Sequence, residues 1–151
     1  MPFDAPFMLG PFAVDSEGRL SPGEPERAPA FLFRWRDRVV RARLAQAEAG
    51  HGRLILQATV ARVPSTASTP DEAVRPRTFA LLRWLEKSVP RDWRVHLVAD
   101  HRVWLEAERR IALPITAAGL ITETTCFLLD LAPHLDLLEE MGLSVPIATA
   151  A

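Results

Sequence analysis

A chain of 151 residues with 48% hydrophobic and 25% charged residues has the size and composition of one globular domain, able to bury roughly 70% of its unfolded surface without covalent staples. A formal net charge of −1 supplies no global field to draw nucleic acid or an anionic membrane. The lone cysteine, Cys126, excludes an internal disulfide and a cysteine-built zinc cage and fits a reducing compartment.

Residues 1–30 read as a Pro-rich N-terminal arm, with Pro at 2, 6, 11, 22, 25 and 29. Within the arm, Phe12-Ala13-Val14, Asp15-Ser16-Glu17-Gly18 and Arg19-Leu20 spell a possible short hairpin, Gly18 being free to take positive φ. The rest of the arm is expected to be extended. From Phe31 the period becomes two: Phe31, Phe33 and Trp35 point one way, Arg34 and Arg36 the other. Asp37-Arg38 is the predicted turn. Val40, Ala42 and Leu44 then alternate with Arg41 and Arg43, and after Ala49-Gly50-His51-Gly52 a third strand runs from Arg53 to Val63. Short turns between three strands imply an antiparallel meander.

Pro64 to Thr69 is predicted as loop, and Thr69-Pro70-Asp71-Glu72 has the form of a capping box. Val74, Thr78, Leu81, Leu82, Leu85 and Val89 fall on one helical stripe with Arg83, Glu86 and Lys87 opposite. Pro76 either kinks this helix or marks its start, and Pro90 ends it. A hairpin follows, Val95, Leu97 and Ala99 on one arm and Val103, Leu105 and Ala107 on the other, turning at Asp100-His101-Arg102. A second helix is predicted from about Thr116 to Met141, stopped by Gly142. Leu120, Thr124, Phe127, Leu128, Leu131, Leu135 and Leu138 form its apolar stripe, with Pro133 expected to bend it.

The order is βββ-α-ββ-α. Grouped rather than alternating elements indicate an α+β fold, an antiparallel sheet with its helices packed on one side. The domain reading is an arm over 1–30, a single α+β domain over 31–142 and a flexible tail over 143–151. Met1-Pro2-Phe3-Asp4 has neither the basic nor the apolar region of a secretory signal. No stretch approaches the roughly 18 apolar residues of a membrane span, so a cytoplasmic protein without membrane contact is expected.

Over roughly residues 31–142 the chain resembles the type III secretion chaperone family. The residues that carry the resemblance are the strand Leu54-Ile55-Leu56-Gln57-Ala58-Thr59-Val60 running to Pro64, the helix with Leu81, Leu82 and Leu85, the hairpin from Val95 to Ala107, and Leu113-Pro114 before a long C-terminal helix. The resemblance implies a small cytoplasmic homodimer with a twisted antiparallel sheet that holds a non-globular segment of a secreted client. The chain departs from the family's pattern in its Pro-rich start where a helix is usual, in its near-neutral charge, and in the polar loop from Ser65 to Asp71.

Catalytic chemistry finds little support. Nucleophilic catalysis needs a Ser or Cys with a base and an orienting carboxylate, whereas Cys126 sits among Thr125, Phe127 and Leu128 and reads as a packed thiol. There is no GxSxG, no Gly-rich phosphate loop and no HExxH. His96, Asp100 and His101 could ligate a metal only if the hairpin converged them. Glu106 and Glu108 share a strand face, but Arg109 and Arg110 follow, so a charge-balanced edge is expected. No catalytic, metal or cofactor site is assigned, and the protein is read as a non-enzyme.

Binding is the better-supported class. Trp84, Leu129 and Leu137 lie off the main helical stripes, more apolar surface than one core absorbs, and a symmetric dimer is the default form. Trp35, Trp84, Trp93, Trp104 and Leu129 are assigned as contacts for the client segment. The alternative is an adaptor that meets an acidic protein or nucleic acid through Arg34, Arg36, Arg41 and Arg43. Against that, Glu106 and Glu108 or a second subunit are expected to cover these arginines, and nucleic acid is the less favoured partner.

Overall fold

The computed structural model describes residues 3–24, 26–63 and 73–142. The protein is α+β, with two antiparallel sheets and, among the described residues, two helices. The elements in chain order are β1 (Phe7–Leu9), β2 (Phe12–Val14), β3 (Arg19–Pro22), β4 (Ala30–Trp35), β5 (Arg38–Glu48), β6 (His51–Arg62), α1 (Val74–Ser88), β7 (Trp93–Leu97), β8 (Arg102–Ala112), β9 (Ile115–Thr116) and α2 (Ala117–Glu140). One sheet has the order β1-β2-β3-β9, the other β4-β5-β6-β8-β7. The expected capping box Thr69-Pro70-Asp71-Glu72, the loop before it and the tail over 143–151 lie outside the described residues.

The chain divides into two compact units: Met1–Leu32 with Arg41–Leu56 and Glu108–Leu128, and Phe33–Val40 with Gln57–Ala107 and Leu129–Ala151.

In the first unit the small sheet replaces the extended arm expected over 1–30. The hairpin read from Phe12 to Leu20 is present, with Val14 opposite Leu20. Its turn forms because the Asp15 carboxylate accepts the N–H groups of Glu17 and Arg19, each at 2.9 Å, while Gly18 takes φ 79°. β1 adds to β2 with Phe7 opposite Val14, and β9 adds to β3 with Leu20 opposite Ile115. Neither short strand has a period long enough to read from sequence, since pairing partners rather than local propensity define them. The unit's core is Val14, Leu20, Ala42, Leu44, Leu54, Ile55, Leu56, Ile111, Leu113, Leu120 and Phe127. A Cβ at Gly52 would meet the Leu113 side chain at 2.5 Å and the Ala45 carbonyl at 3.0 Å, so a larger residue there makes Leu113 shift. The Thr116 hydroxyl accepts the N–H of Gly119 at 3.0 Å and caps the start of α2.

In the second unit the β4–β5 turn falls on Arg36 and Asp37, with φ 49° and 60°. Positive φ at both central residues is the hairpin geometry whose twist matches the flanking strands. The turn is therefore one residue earlier than the predicted Asp37-Arg38, and Arg38 becomes the first, inward-facing residue of β5. α1 begins after Ala73, which gives no side-chain cap. Pro76 falls in its first turn, where a missing N–H costs no helical hydrogen bond. Thr78, Leu82, Leu85 and Val89 bury the inner side of α1, and Val40, Ala58, Val60, Ala61, Val63, Trp93, Val103, Leu105, Ala107, Leu131, Leu135 and Leu138 complete the core. Gly142, with φ 77°, ends the second helix.

Candidate partner-binding site

The arginines of β4, β5 and the turn between them have different environments. Arg38 is buried, donating from Nη1 to the Arg36 carbonyl at 3.0 Å and from Nη2 to Glu139 Oε1 at 3.1 Å. Arg36 reaches the same helix, with Nη2 at 2.7 Å from Asp136 Oδ1 and 3.2 Å from Glu139 Oε2. Asp136, by accepting that hydrogen bond, holds the Arg36 guanidinium even more firmly protonated than usual. For Arg36 and Arg38 the covering acids are thus Asp136 and Glu139 of α2, and not Glu106 and Glu108. Glu106 instead accepts from Gln57 Nε2 at 2.5 Å, and Glu108 pairs with Arg53 at 3.4 Å. The shifted turn is the cause, since it sends Arg36 and Arg38 toward α2. Arg41 and Arg43 remain exposed on β5 in the first unit, and Arg34 remains exposed on β4 in the second.

The tryptophans separate similarly. Trp93 is buried, its ring 6.0 Å from that of His134, so it is a core residue and not the surface contact assigned to it. Trp35 is half-buried, with the Arg36 guanidinium over its ring. Trp104 is half-buried opposite His96, and the Arg102 guanidinium lies over its ring. Trp84 is exposed on α1.

His96 Nε2 lies 3.6 Å from Glu106 Oε1, beyond hydrogen-bond range but within ion-pair reach of a protonated ring. Asp100 is occupied locally: burial opposes its charge, yet the N–H and side chain of Arg102 hold its carboxyl below the usual range. Among the described residues no group of three or more His, Cys, Asp and Glu gathers as metal ligands. Cys126 is a half-buried free thiol.

One exposed apolar surface lies in the second unit, on α2. Leu131, Leu135 and Leu138 are buried, yet Leu129 is 67% exposed, Leu137 37% and Met141, just past the helix, 47%. With Pro133, also exposed, these residues follow one another at intervals of four, so they climb one side of the helix as an apolar row. Leu129 and Leu137 were legible as residues off the main stripe. Pro133 and Met141 were not, although counting in fours from Leu129 finds both. His134 joins the row to α1: Nε2 stands 3.5 Å from the Ser88 carbonyl, and Ser88 is one turn beyond Trp84. No helix in the described residues is long and apolar enough to cross a membrane. The chain matches no family model, and no curated protein matches it significantly.

Proposed function

We propose that this protein is a non-catalytic, cytoplasmic binding protein that holds an extended segment of a client protein, in the manner of the type III secretion chaperones it resembles. The observation that carries the reading is a helix apolar on two sides. α2 buries Leu131, Leu135 and Leu138 and still presents Leu129, Pro133, Leu137 and Met141 to solvent. A water-facing helix face is ordinarily polar, and a contiguous apolar row on it is a surface suited to burial by another chain. In this reading the βββ-α-ββ-α order over 31–142, with its helices on one side of the sheet, is the chaperone-like domain, the residues before it, which supply β1, β2 and β3 of the small sheet, are an addition to it, and the working form is a homodimer.

The adaptor reading is weaker because one of its four arginines, Arg36, already has the carboxylates of Asp136 and Glu139 from its own chain. It retains Arg34, Arg41 and Arg43.

The test is affinity capture from the native source, with nuclease treatment and with a Leu129→Gln, Leu137→Gln variant alongside. One dominant protein should survive nuclease, disappear with the variant, and rebind the purified chain through a protease-sensitive segment. Recovery of nucleic acid, or a partner held equally by the variant, overturns the reading.

A further inference from the structure

We propose that the solvent face of α1 selects an acidic client segment carrying an apolar anchor. The inference rests on the client-binding reading above and adds to it the chemistry of the segment. α1 advances about 100° per residue, which places Arg77, Ala80, Arg83, Trp84 and Lys87 within about 120° of one another, opposite the buried side of Thr78, Leu82, Leu85 and Val89. All five are exposed. The helix has a single carboxylate, Glu86, which falls outside this arc. Among the described residues, Arg77, Arg83 and Lys87 belong to no ion pair.

This cationic face stands out on a chain whose formal net charge is −1. Arg83 and Lys87 are four residues apart, an arrangement of like charges that costs an isolated helix a few tenths of a kcal/mol. A carboxylate from outside removes that repulsion. The exposed Trp84 lies among the cations and offers an aromatic surface to an apolar side chain. One turn on, His134 of α2 approaches the Ser88 carbonyl at 3.5 Å, and its sequence neighbour Pro133 and Leu137 three residues later are exposed members of the apolar row. Cations, a tryptophan and aliphatic side chains in succession complement a peptide that alternates acidic and apolar residues. Nucleic acid would satisfy the cations and Trp84 but offers nothing aliphatic to Leu137. A bilayer would need a broader apolar face than α1 presents.

The experiment titrates the full chain into a fluorescein-labelled synthetic peptide of repeating Glu-Leu-Asp-Phe, followed by anisotropy. The comparison probes are its counterpart with Lys for each acid, oligo(dT), and vesicles of phosphatidylglycerol in phosphatidylcholine. The acidic peptide should bind best and weaken as salt rises. Its affinity should fall on the order of tenfold in Arg77→Glu with Lys87→Glu. It should also fall in Trp84→Ala, and stay unchanged in Arg41→Glu with Arg43→Glu. Should the charge-reversed variant fail to fold, Arg77→Gln with Lys87→Gln gives the same comparison at smaller amplitude. Equal binding of both peptides, or preference for oligo(dT) or vesicles, overturns the proposal. Binding of both peptides that depends on Leu129 and Leu137 overturns it while leaving the client-binding reading standing. Failure of every probe to bind counts against both.

Discussion

Arg38 and Glu139 join the first residue of β5 to the last turn of α2 through an ion pair whose two ends differ in solvent access: the Arg38 side chain is 1% exposed and Glu139 47%. The asymmetry predicts asymmetric mutants. Glu139→Ala leaves a buried guanidinium with the Arg36 carbonyl as its remaining acceptor. Its cost should reach about 1–3 kcal/mol, below the range for fully buried pairs because solvent already screens Glu139. Arg38→Met removes the buried charge and leaves Glu139 in water and still paired with Arg36, so it should cost less. Urea denaturation of both variants checks the order; a larger loss for Arg38→Met would refute this account.

The same pair shows what the sequence could and could not reveal. The alternation Val40, Ala42, Leu44 against Arg41 and Arg43 is a local property of β5, and so was readable. The direction of Arg36 and Arg38 depended on which two residues made the turn. Hairpins of this type favour Asn-Gly, and Arg36-Asp37 carries no such signal. The α2 stripe read as Leu120, Thr124, Phe127, Leu128, Leu131, Leu135 and Leu138 was readable because its period runs for many turns, and all but the half-buried Leu128 are buried. β1 and β9 were not, and Trp93 was misassigned as a contact because a tryptophan on a strand reads alike whether it faces core or solvent.

Thr116 tests how α2 begins. Its hydroxyl accepts the N–H of Gly119, and no acidic residue in the first turn helps to satisfy the free N–H groups. Thr116→Ala should therefore destabilise the protein by about 1 kcal/mol, lowering its melting temperature by a few degrees. Thr116→Ser should restore most of that loss. An unchanged melting temperature for Thr116→Ala would mean that the cap is not limiting.

Asp15 supplies a pH dependence with a definite sign. The Arg19 N–H is the largest influence on its carboxyl and, with the Arg19 side chain and the Glu17 N–H, holds it below its ordinary 3.8 against the opposing effect of burial. A carboxyl depressed by folding contributes stability that is fully present above the unfolded value and lost as pH falls through the folded one. The gap in melting temperature between the wild type and Asp15→Asn should thus be constant above 3.8 and close in more acid solution. Asparagine still accepts the backbone N–H groups, so the comparison isolates the charge. A gap that widened below 3.8 would contradict this sign.

Arg41 and Arg43 decide between client holding and the adaptor reading. Both alternate outward on β5 while Ala42 and Leu44 are buried. Reversing both charges leaves the core untouched, so stability should stay within about 0.5 kcal/mol. Capture of the client should also be unaffected. If the partner is lost in Arg41→Glu with Arg43→Glu and kept in Leu129→Gln with Leu137→Gln, the arginine surface is the binding surface.

The apolar row of α2 allows stability to be separated from binding within one helix. Leu135 is fully buried, and Leu135→Ala should cost about 2–5 kcal/mol through lost contacts and the cavity left behind. Leu129 already meets water, so Leu129→Gln removes little burial, and glutamine is nearly as good a helix former as leucine. Paired with Leu137→Gln, it should leave the denaturation midpoint almost unchanged while abolishing client capture. A surface that exists to be covered is favourable to have only in the complex, and its removal shows there rather than in the free protein. If the double variant instead melts several degrees lower and binds as before, the row stabilises the fold and is not a docking surface.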